Sequence, residues 1–417
     1  MGTVSLKLTE RVYRSENDFQ DLKKSWNNLV RFTGADVFQL HEWQYSWWDN
    51  FGSNNELYII TYSLQDQLIA ILPFFIQEKK FNRFRFVKTL HFIGSHLTTI
   101  EGGILPVNKA FAGYLDIIVH PDHVDLISKK IRVLFEELIQ TVDQINLDEI
   151  PEHSLLMHSL PSLRGSDKWI LNKTEASVCS QCLIGSDWDR YLSTLSRSTR
   201  KNIRRGLRSI YDDEVFDIKE AETEEEFDRI FDMLVRLHQN RWHQQDLPGI
   251  FADKRMEDFF RSTALNLFKN GWASIHWAEK KQQIFAVELS YHFNHTIYTV
   301  QTGYDTESEY TRYSPSNLII YHMMKTGIDN GYLVFDWLRG AESYKSSTTS
   351  LVLQNQKLTL SARNNSGYRL FLTEISTNLL TKFQNEKWVL SVYLGNYTLL
   401  KALNKNFKRV IFHIVSK

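Results

Sequence analysis

Apolar residues recur along the chain with two alternating periods. Phe19, Leu22, Trp26, Leu29 and Val30 fall at helical spacing within Glu16 to Phe32. His41 to Phe51 reads as a second helix, carrying Trp43, Trp47 and Trp48. The pattern then changes to strands at Leu57 to Ser63, Leu68 to Gln77 and Val87 to Phe92. Gly94 to Pro106 reads as a loop and Tyr114 to Val119 as a short strand closed by His120-Pro121. Asp125 to Val142 is an amphipathic helix, and Ile145 to Asp148 another short strand.

The second segment repeats the style. Val178 to Ile184 reads as a strand, and Trp188 to Ile210, Glu224 to Arg241 and Lys254 to Lys269 as helices, the last stopped by Asn270-Gly271. Strands follow at Trp272 to Glu279, Ile284 to Phe293 and His295 to Tyr304, with Asn294 turning the last two into a hairpin. Ser314 to Asn330 is a helix, Tyr332 to Leu338 a buried strand, and Leu351 to Leu360 a further strand. From about Leu370 the pattern is amphipathic helix, with one more strand at Val410 to Val415. Each half runs from helices into strands, then helix, then strand. The expectation is an α/β fold with a mixed α+β sheet, one architecture used twice. Pro161, Gly165 and Ser166 mark the boundary, dividing the chain into 1–165, 166–360 and a mainly helical tail, 361–417.

Composition narrows the class. The 417 residues carry 49 Lys and Arg against 49 Asp and Glu, a balance that argues against a generic polyanion binder. A hydrophobic fraction of 42% argues against disorder. The longest clearly apolar run, Leu68 to Ile76, contains Pro73 and falls far short of the ~20 residues that span a bilayer. With no apolar signal region at the start, a soluble, cytoplasmic protein without a transmembrane segment is expected. Cys179 and Cys182 form a single C-x-x-C with no second ligand pair, so no metal is expected. His292 and His295 flank the hairpin turn and read as turn chemistry.

The stretch Gln301 to Lys345 concentrates the chemistry. Gly303, near a strand end, marks a bulge or a close backbone approach. Tyr313-Ser314-Pro315-Ser316-Asn317-Leu318 opens a helix, with Ser314 as N-cap and Pro315 at the first helical position. A helix start fed by a strand presents free N–H groups and suits a pyrophosphate; a plain capped helix has the same sequence. Asp336 sits in an apolar strand, where a carboxylate is costly unless paired or used. An ion pair to Arg339 or Lys345 and a functional role both fit it. Glu342, Tyr344 and Lys345 follow just past the strand end, where α/β sheets place ligands.

Two further features remain open. Strict alternation puts Phe285, Val287, Leu289, Tyr291 and Phe293 on one strand face, and Ala286, Glu288, Ser290 and His292 on the other. Glu288 is therefore a general base, an anchor for the acceptor amine, or an exposed carboxylate. Arg197, Lys201, Arg204 and Arg208 share a helix face, with Arg200 beside them. That face clamps a phosphorylated ligand or nucleic acid, or is simply solvated, since an acidic stretch follows at once.

The order of these pieces resembles a known family. Leu195-Ser196-Arg197-Ser198-Thr199-Arg200-Lys201-Asn202-Ile203-Arg204-Arg205 comes first, then Gly271-Trp272, Gly303-Tyr304-Asp305, Tyr313-Ser314-Pro315, Asp336-Trp337-Leu338-Arg339-Gly340 and Tyr344-Lys345. With Phe38-Gln39-Leu40-His41-Glu42-Trp43 and Leu72-Pro73-Phe74 in the first half, the chain is similar to the CelD-like acetyltransferases of the GNAT superfamily, relatives of the Fem peptidyltransferases. The resemblance spans roughly residues 10 to 355. It implies tandem GNAT-like domains and transfer of an acyl group from acyl-CoA to the amine of a small molecule or amino sugar, in envelope or exopolysaccharide assembly. By matched position it implies a pyrophosphate site at Gly303 and Ser314 to Leu318. It puts Asp336, Tyr344 and Lys345 on the acceptor side; the candidate catalytic residues are Asp336, Glu288 and Tyr304, with the base open between the two carboxylates, and Arg200, Arg204 and Glu342 are further candidate acceptor contacts. Where the family has glycine after the proline, this chain has Ser316. Two alternatives are a Fem-like transfer from aminoacyl-tRNA, which would place Arg200 and Arg204 on RNA, and a non-catalytic GNAT-fold binding protein.

Overall fold

The computed structural model describes residues 7–82, 85–95, 112–340 and 343–376. Among these, the strands join into one mixed sheet. Its order is Leu8–Tyr13, Glu56–Leu64, Gln67–Asn82, Arg85–Phe92, Gln144–Pro151, Leu351–Ala362, Trp169–Leu183, Val334–Arg339, Thr296–Tyr304, Gln283–Phe293, Ala273–Lys280 and Asp217–Glu220.

Two units within the sheet share one element order. The first is a strand (Leu8–Tyr13), helices ending at Phe51, three antiparallel strands, the helix Val124–Leu138, and Gln144–Pro151 parallel to Arg85–Phe92. The second is a strand (Asp217–Glu220), the helices Glu224–His243 and Lys254–Phe268, and three antiparallel strands. The helix Pro315–Asp329 follows, then Val334–Arg339 parallel to Thr296–Tyr304. The fold is thus the tandem α+β arrangement expected. The strand that follows each unit crosses to the other. Trp169–Leu183 pairs with Val334–Arg339, Leu351–Ala362 pairs with Gln144–Pro151, and the two crossing strands pair with each other. This exchange makes one continuous sheet of the two units.

Local chemistry explains several departures from the expected elements. Glu16 to Phe32 is two helices, Glu16–Asp21 and Lys23–Phe32, meeting at Leu22. Trp188 to Ile210 is also two, Trp188–Thr194 and Arg197–Tyr211. Leu195 is extended there, and Ser196 Oγ caps the second helix by accepting the Thr199 N–H at 3.1 Å. Tyr114 to Val119 contracts to the strand Ile118–Val119. The edge strands Leu8–Tyr13 and Asp217–Glu220 were not expected, because neither has a buried apolar face to give a pattern. The hairpin turn is Asn294-His295, both left-handed at φ 43° and 59°, a two-residue turn of the primed kind. Leu351–Ala362 is followed by helical residues 365–376; the rest of the tail, including Val410 to Val415, and most of the Gly94 to Pro106 loop lie outside the described residues.

The strand Gln283–Phe293 separates two cores. Val287, Leu289, Tyr291 and Phe293 belong to one, with Phe227, Ile230 and Leu234 of the helix Glu224–His243. Ala286 belongs to the other, with Leu318, Ile319 and Met323 of the helix Pro315–Asp329. The two helices therefore cover opposite faces of the sheet. Phe285 breaks the expected alternation. The ladder to Ala273–Lys280 slips between Ile284 and Ala286, and Phe285 turns to the second core, against Phe216 and Tyr310. Cys179 and Cys182 also point into different cores, so their thiols do not face each other.

Candidate functional site

The parallel neighbours Thr296–Tyr304 and Val334–Arg339 pair only from Thr296 opposite Val334 to Tyr298 opposite Asp336. Beyond that point both strands are irregular. The ladder to Gln283–Phe293 passes from Ser290 opposite Thr299 to Leu289 opposite Gln301, so Val300 is an extra, bulged residue. In the other strand, Asp336 faces Gln181 and Arg339 faces Cys179, so Trp337 and Leu338 together oppose Ser180. Leu338 has φ 54°, a left-handed conformation that costs of order 1–3 kcal/mol for a residue with a side chain. Asp336 stabilises it, since Oδ1 accepts the Leu338 N–H at 2.7 Å.

A cleft of about 1200 Å³ occupies the gap, lined by Thr299 to Thr302 on one side and Trp337 to Gly340 on the other. At one end lies the start of the helix Pro315–Asp329, with Ser314 to Asn317. Ser314 holds the N-cap position with φ 55° and ψ 60°, and its side chain makes no capping bond. Pro315 has no N–H. The N–H groups of Ser316 and Asn317 have no acceptor among the described residues, and Ser316 Oγ is buried without a partner. Two open N–H groups and the positive end of the helix dipole thus meet the cleft, with the Ser316 hydroxyl buried beside them, which suits an anion.

The cleft brings together Tyr304, Ser314, Pro315, Ser316, Asn317 and Lys345 of the expected site residues. Others stand off it. Gly303 pairs with Val287 and lies against the helix Glu224–His243; a Cβ there would meet Leu234 O at 2.8 Å and His238 N at 3.0 Å. Close approach, not a bulge, is its role. Leu318 is buried in the second core against Gly206. Arg204 pairs with Asp189 at 2.8 Å on the surface, and Arg200 donates to the Ser193 carbonyl at 3.3 Å, so neither lines the cleft. Glu342 and the side chain of Tyr344 lie outside the described residues.

The two carboxylates sit one layer behind. Asp336 is fully buried, and its Oδ2 accepts Tyr114 Oη–H at 2.8 Å and Gln181 Nε2–H at 2.7 Å. Burial pushes its carboxyl up to about 6, against the lowering effect of these bonds and of the Lys345 charge. Arg339 pairs with Glu149 at 3.2 Å instead of with Asp336. Glu288 is also fully buried, not exposed, and accepts the hydroxyls of Thr299 and Thr302, both of which line the cleft. Burial raises its carboxyl to about 8, because the two threonine bonds only partly offset desolvation.

Several lining residues carried no signal in the sequence. Phe38 and Trp43 come from the first unit, and Trp43 meets Phe259 of the second at 5.6 Å. Tyr291, Phe260, His238, Arg241 and Trp242 complete that wall. Tyr291 and the helix Glu224–His243 belong to the first core, whereas the Ser316 helix belongs to the second. The cleft therefore passes through the sheet, from one face to the other.

Residues 197–346 match the family described as an acetyltransferase (GNAT) domain. This stretch is thus similar in sequence to GNAT domains. It takes in the second unit from the basic helix to Lys345, and so both splayed strands. Over 85% of its length the chain is similar in fold to the full length of a conserved protein of unknown function from Bacteroides thetaiotaomicron, with 12% identity and a TM-score of 0.50. It is similar to FemX, with 10% identity and a TM-score of 0.51 over 83% of this chain and 96% of that one. The C-terminal domain of a putative lysylphosphatidylglycerol synthetase from Agrobacterium fabrum aligns at 11% identity and a TM-score of 0.48, over 86% and 95%. No curated protein sequence matches the chain significantly. Among the described residues, no helix is long and apolar enough to cross a membrane.

Proposed function

We propose that the protein is an acyl-CoA-dependent N-acyltransferase. It transfers an acyl group to the amine of a small molecule or amino sugar, with a place in envelope or exopolysaccharide assembly, as the resemblance to CelD-like acetyltransferases implies. One observation carries the reading: a gap between two splayed parallel strands leads directly to the open N–H groups of Ser316 and Asn317. The helix start takes the pyrophosphate of CoA, with Ser316 Oγ as a third donor where the family has glycine. The thioester arm runs between Thr299–Thr302 and Trp337–Gly340. Calorimetry with acetyl-CoA tests the reading: one molecule binds per chain, and an absence of heat overturns it.

The amine nitrogen attacks the thioester carbonyl carbon, forming the C–N bond. The C–S bond then breaks, and the CoA sulfur leaves as a thiol after gaining a proton. Backbone N–H groups around Val300, which have no ladder partner across the gap, hold the carbonyl oxygen as charge develops. Glu288 takes the amine proton through the Thr302 hydroxyl, which already points at its carboxylate. Asp336 does not touch the cleft and acts as a positioning residue for Leu338. Tyr304 and Lys345 shape the walls, and Lys345 Nζ holds the Trp337 and Arg339 carbonyls at 3.2 and 2.7 Å.

One observation favours aminoacyl-tRNA as the donor instead. The helix Arg197–Tyr211 exposes Arg197, Lys201 and Arg205 and packs on the helix Pro315–Asp329, where Gly206 admits Leu318. A basic face thus adjoins the candidate phosphate site. Binding of charged tRNA that falls steeply with salt, with no response to acetyl-CoA, would select that reading. Binding of neither donor would select the non-catalytic one.

A further inference from the structure

Three cationic side chains line the cleft among the described residues, Arg241, Arg339 and Lys345, and no carboxylate does. Two of the three are engaged by the protein. Arg339 pairs with Glu149 and donates to the Ala112 carbonyl; Lys345 holds two backbone carbonyls. Arg241 is different. Its guanidinium forms no ion pair and no hydrogen bond with any described residue. Rings hold it in place: the guanidinium carbon lies 5.0 Å from the Tyr304 centroid and 5.5 Å from that of Trp242. A planar cation fixed by aromatic faces, lining a cleft to which no described residue brings a carboxylate, matches a carboxylate or phosphate.

Its place separates it from the helix-start site. Arg241 lies in the last turn of Glu224–His243, just past His238, whose backbone N abuts Gly303. That helix covers the first core, and the Ser316 helix covers the second, across the sheet. The segment Leu247 to Ile250 and the rings of Phe38, Trp43 and Phe260 line the cleft on the Arg241 side.

We infer that Arg241 anchors an anionic group of the acceptor, so the acceptor is an amine that also carries a carboxylate or a phosphate. This rests on the acyltransferase reading, which assigns the helix start, on the other face of the sheet, to CoA.

Calorimetry on the full chain with CoA present compares amines in pairs. Glucosamine 6-phosphate against glucosamine tests phosphate, and L-lysine against 1,5-diaminopentane tests carboxylate. In the parent protein the anionic member of at least one pair binds tenfold or more tighter than its neutral partner. Arg241→Met removes that preference and leaves acetyl-CoA affinity within twofold. Arg241→Lys, which keeps the charge but not the fork, gives an intermediate preference. Thermal melts confirm that both variants fold. The inference is overturned if the parent shows no preference in either pair. It is equally overturned if Arg241→Met weakens acetyl-CoA while the preference persists, because Arg241 then serves the cofactor's phosphates. Should acetyl-CoA fail to bind the parent while the preference and its loss both hold, the acyltransferase reading falls and the Arg241 anchor stands.

Discussion

Asp336 Oδ1 accepts the N–H of Leu338 at 2.7 Å, and Leu338 is held left-handed at the point where the sheet opens. The other oxygen takes Tyr114 of the first unit and Gln181 of the crossing strand. One carboxylate thus fixes the rim of the cleft and joins the two units. Asp336→Ala leaves three donors without an acceptor, Tyr114 buried and Gln181 and Leu338 part-buried, and should cost about 1–3 kcal/mol for the buried one and less for each of the others. Asp336→Asn keeps an acceptor for Leu338 and should cost less. Urea unfolding of both variants, with acetyl-CoA affinity measured alongside, checks the ordering. Equal stability of Asp336→Ala and the parent would remove the positioning role.

The pH dependence of stability follows from the same burial. Asp336 is raised from 3.8 to about 6 and Glu288 from 4.5 to about 8, so the folded state holds more protons than the unfolded chain between those values. Stability contributed by the protonated carboxyls is full below about pH 4 and is lost as pH rises through 6 and then 8. Glu288→Gln should flatten the decline between pH 4.5 and 8. Denaturation midpoints measured across that range test it; an unchanged slope would contradict it.

Catalysis should show the opposite trend. Glu288 accepts a proton only when ionised, so turnover should climb with pH towards a plateau above about 8. Glu288→Gln should lower turnover by ~10²–10⁴-fold. Thr302→Val, which breaks the relay but spares the carboxylate, should lower turnover more than it raises KM. A flat pH–rate profile in the parent would exclude Glu288 as the proton acceptor.

Gly303→Ala would push a Cβ to 2.8 Å from the Leu234 carbonyl oxygen and 3.0 Å from His238 N, both backbone atoms that cannot rotate away. The helix Glu224–His243 must shift, at about 1–3 kcal/mol. His238 and Arg241 move with it, so KM for the acceptor should rise more than the Kd for acetyl-CoA. A loss confined to acetyl-CoA affinity would place Gly303 at the cofactor instead.

Ser316→Ala removes one unpartnered hydroxyl from the helix start. A hydrogen bond to phosphate is worth of order 1 kcal/mol, so the Kd for acetyl-CoA should rise about 3- to 10-fold. An unchanged Kd in titration would leave the Ser316 hydroxyl without a role in binding.

Part of this site was legible in the chain, and the rest depended on pairings that sequence does not carry. The turn at Asn294-His295 fixes the hairpin, and simple counting from it would set Glu288 opposite Gln301. The bulge at Val300 moves the register by one and brings Thr302 to Glu288. Nothing about a valine announces that bulge; it belongs to the strand that leaves its neighbour. Ser314-Pro315 was readable because proline and serine favour a helix start, although Ser314 adopts a left-handed backbone and does not cap with its side chain. The exchange of Trp169–Leu183 and Leu351–Ala362 between units is a long-range pairing with no local mark. Arg241 sits in an ordinary charged helix turn, and only the fold shows that rings hold it and that no described carboxylate pairs with it.

Hydrogen exchange with and without acetyl-CoA tests the proposed cofactor site most directly. Binding should slow exchange at the amides of Ser316 and Asn317 and at those of Thr299 to Thr302, which face the open gap, while the surface helix Arg197–Tyr211 is unchanged. Binding that protects some other surface and leaves Ser316 and Asn317 exchanging freely would contradict it.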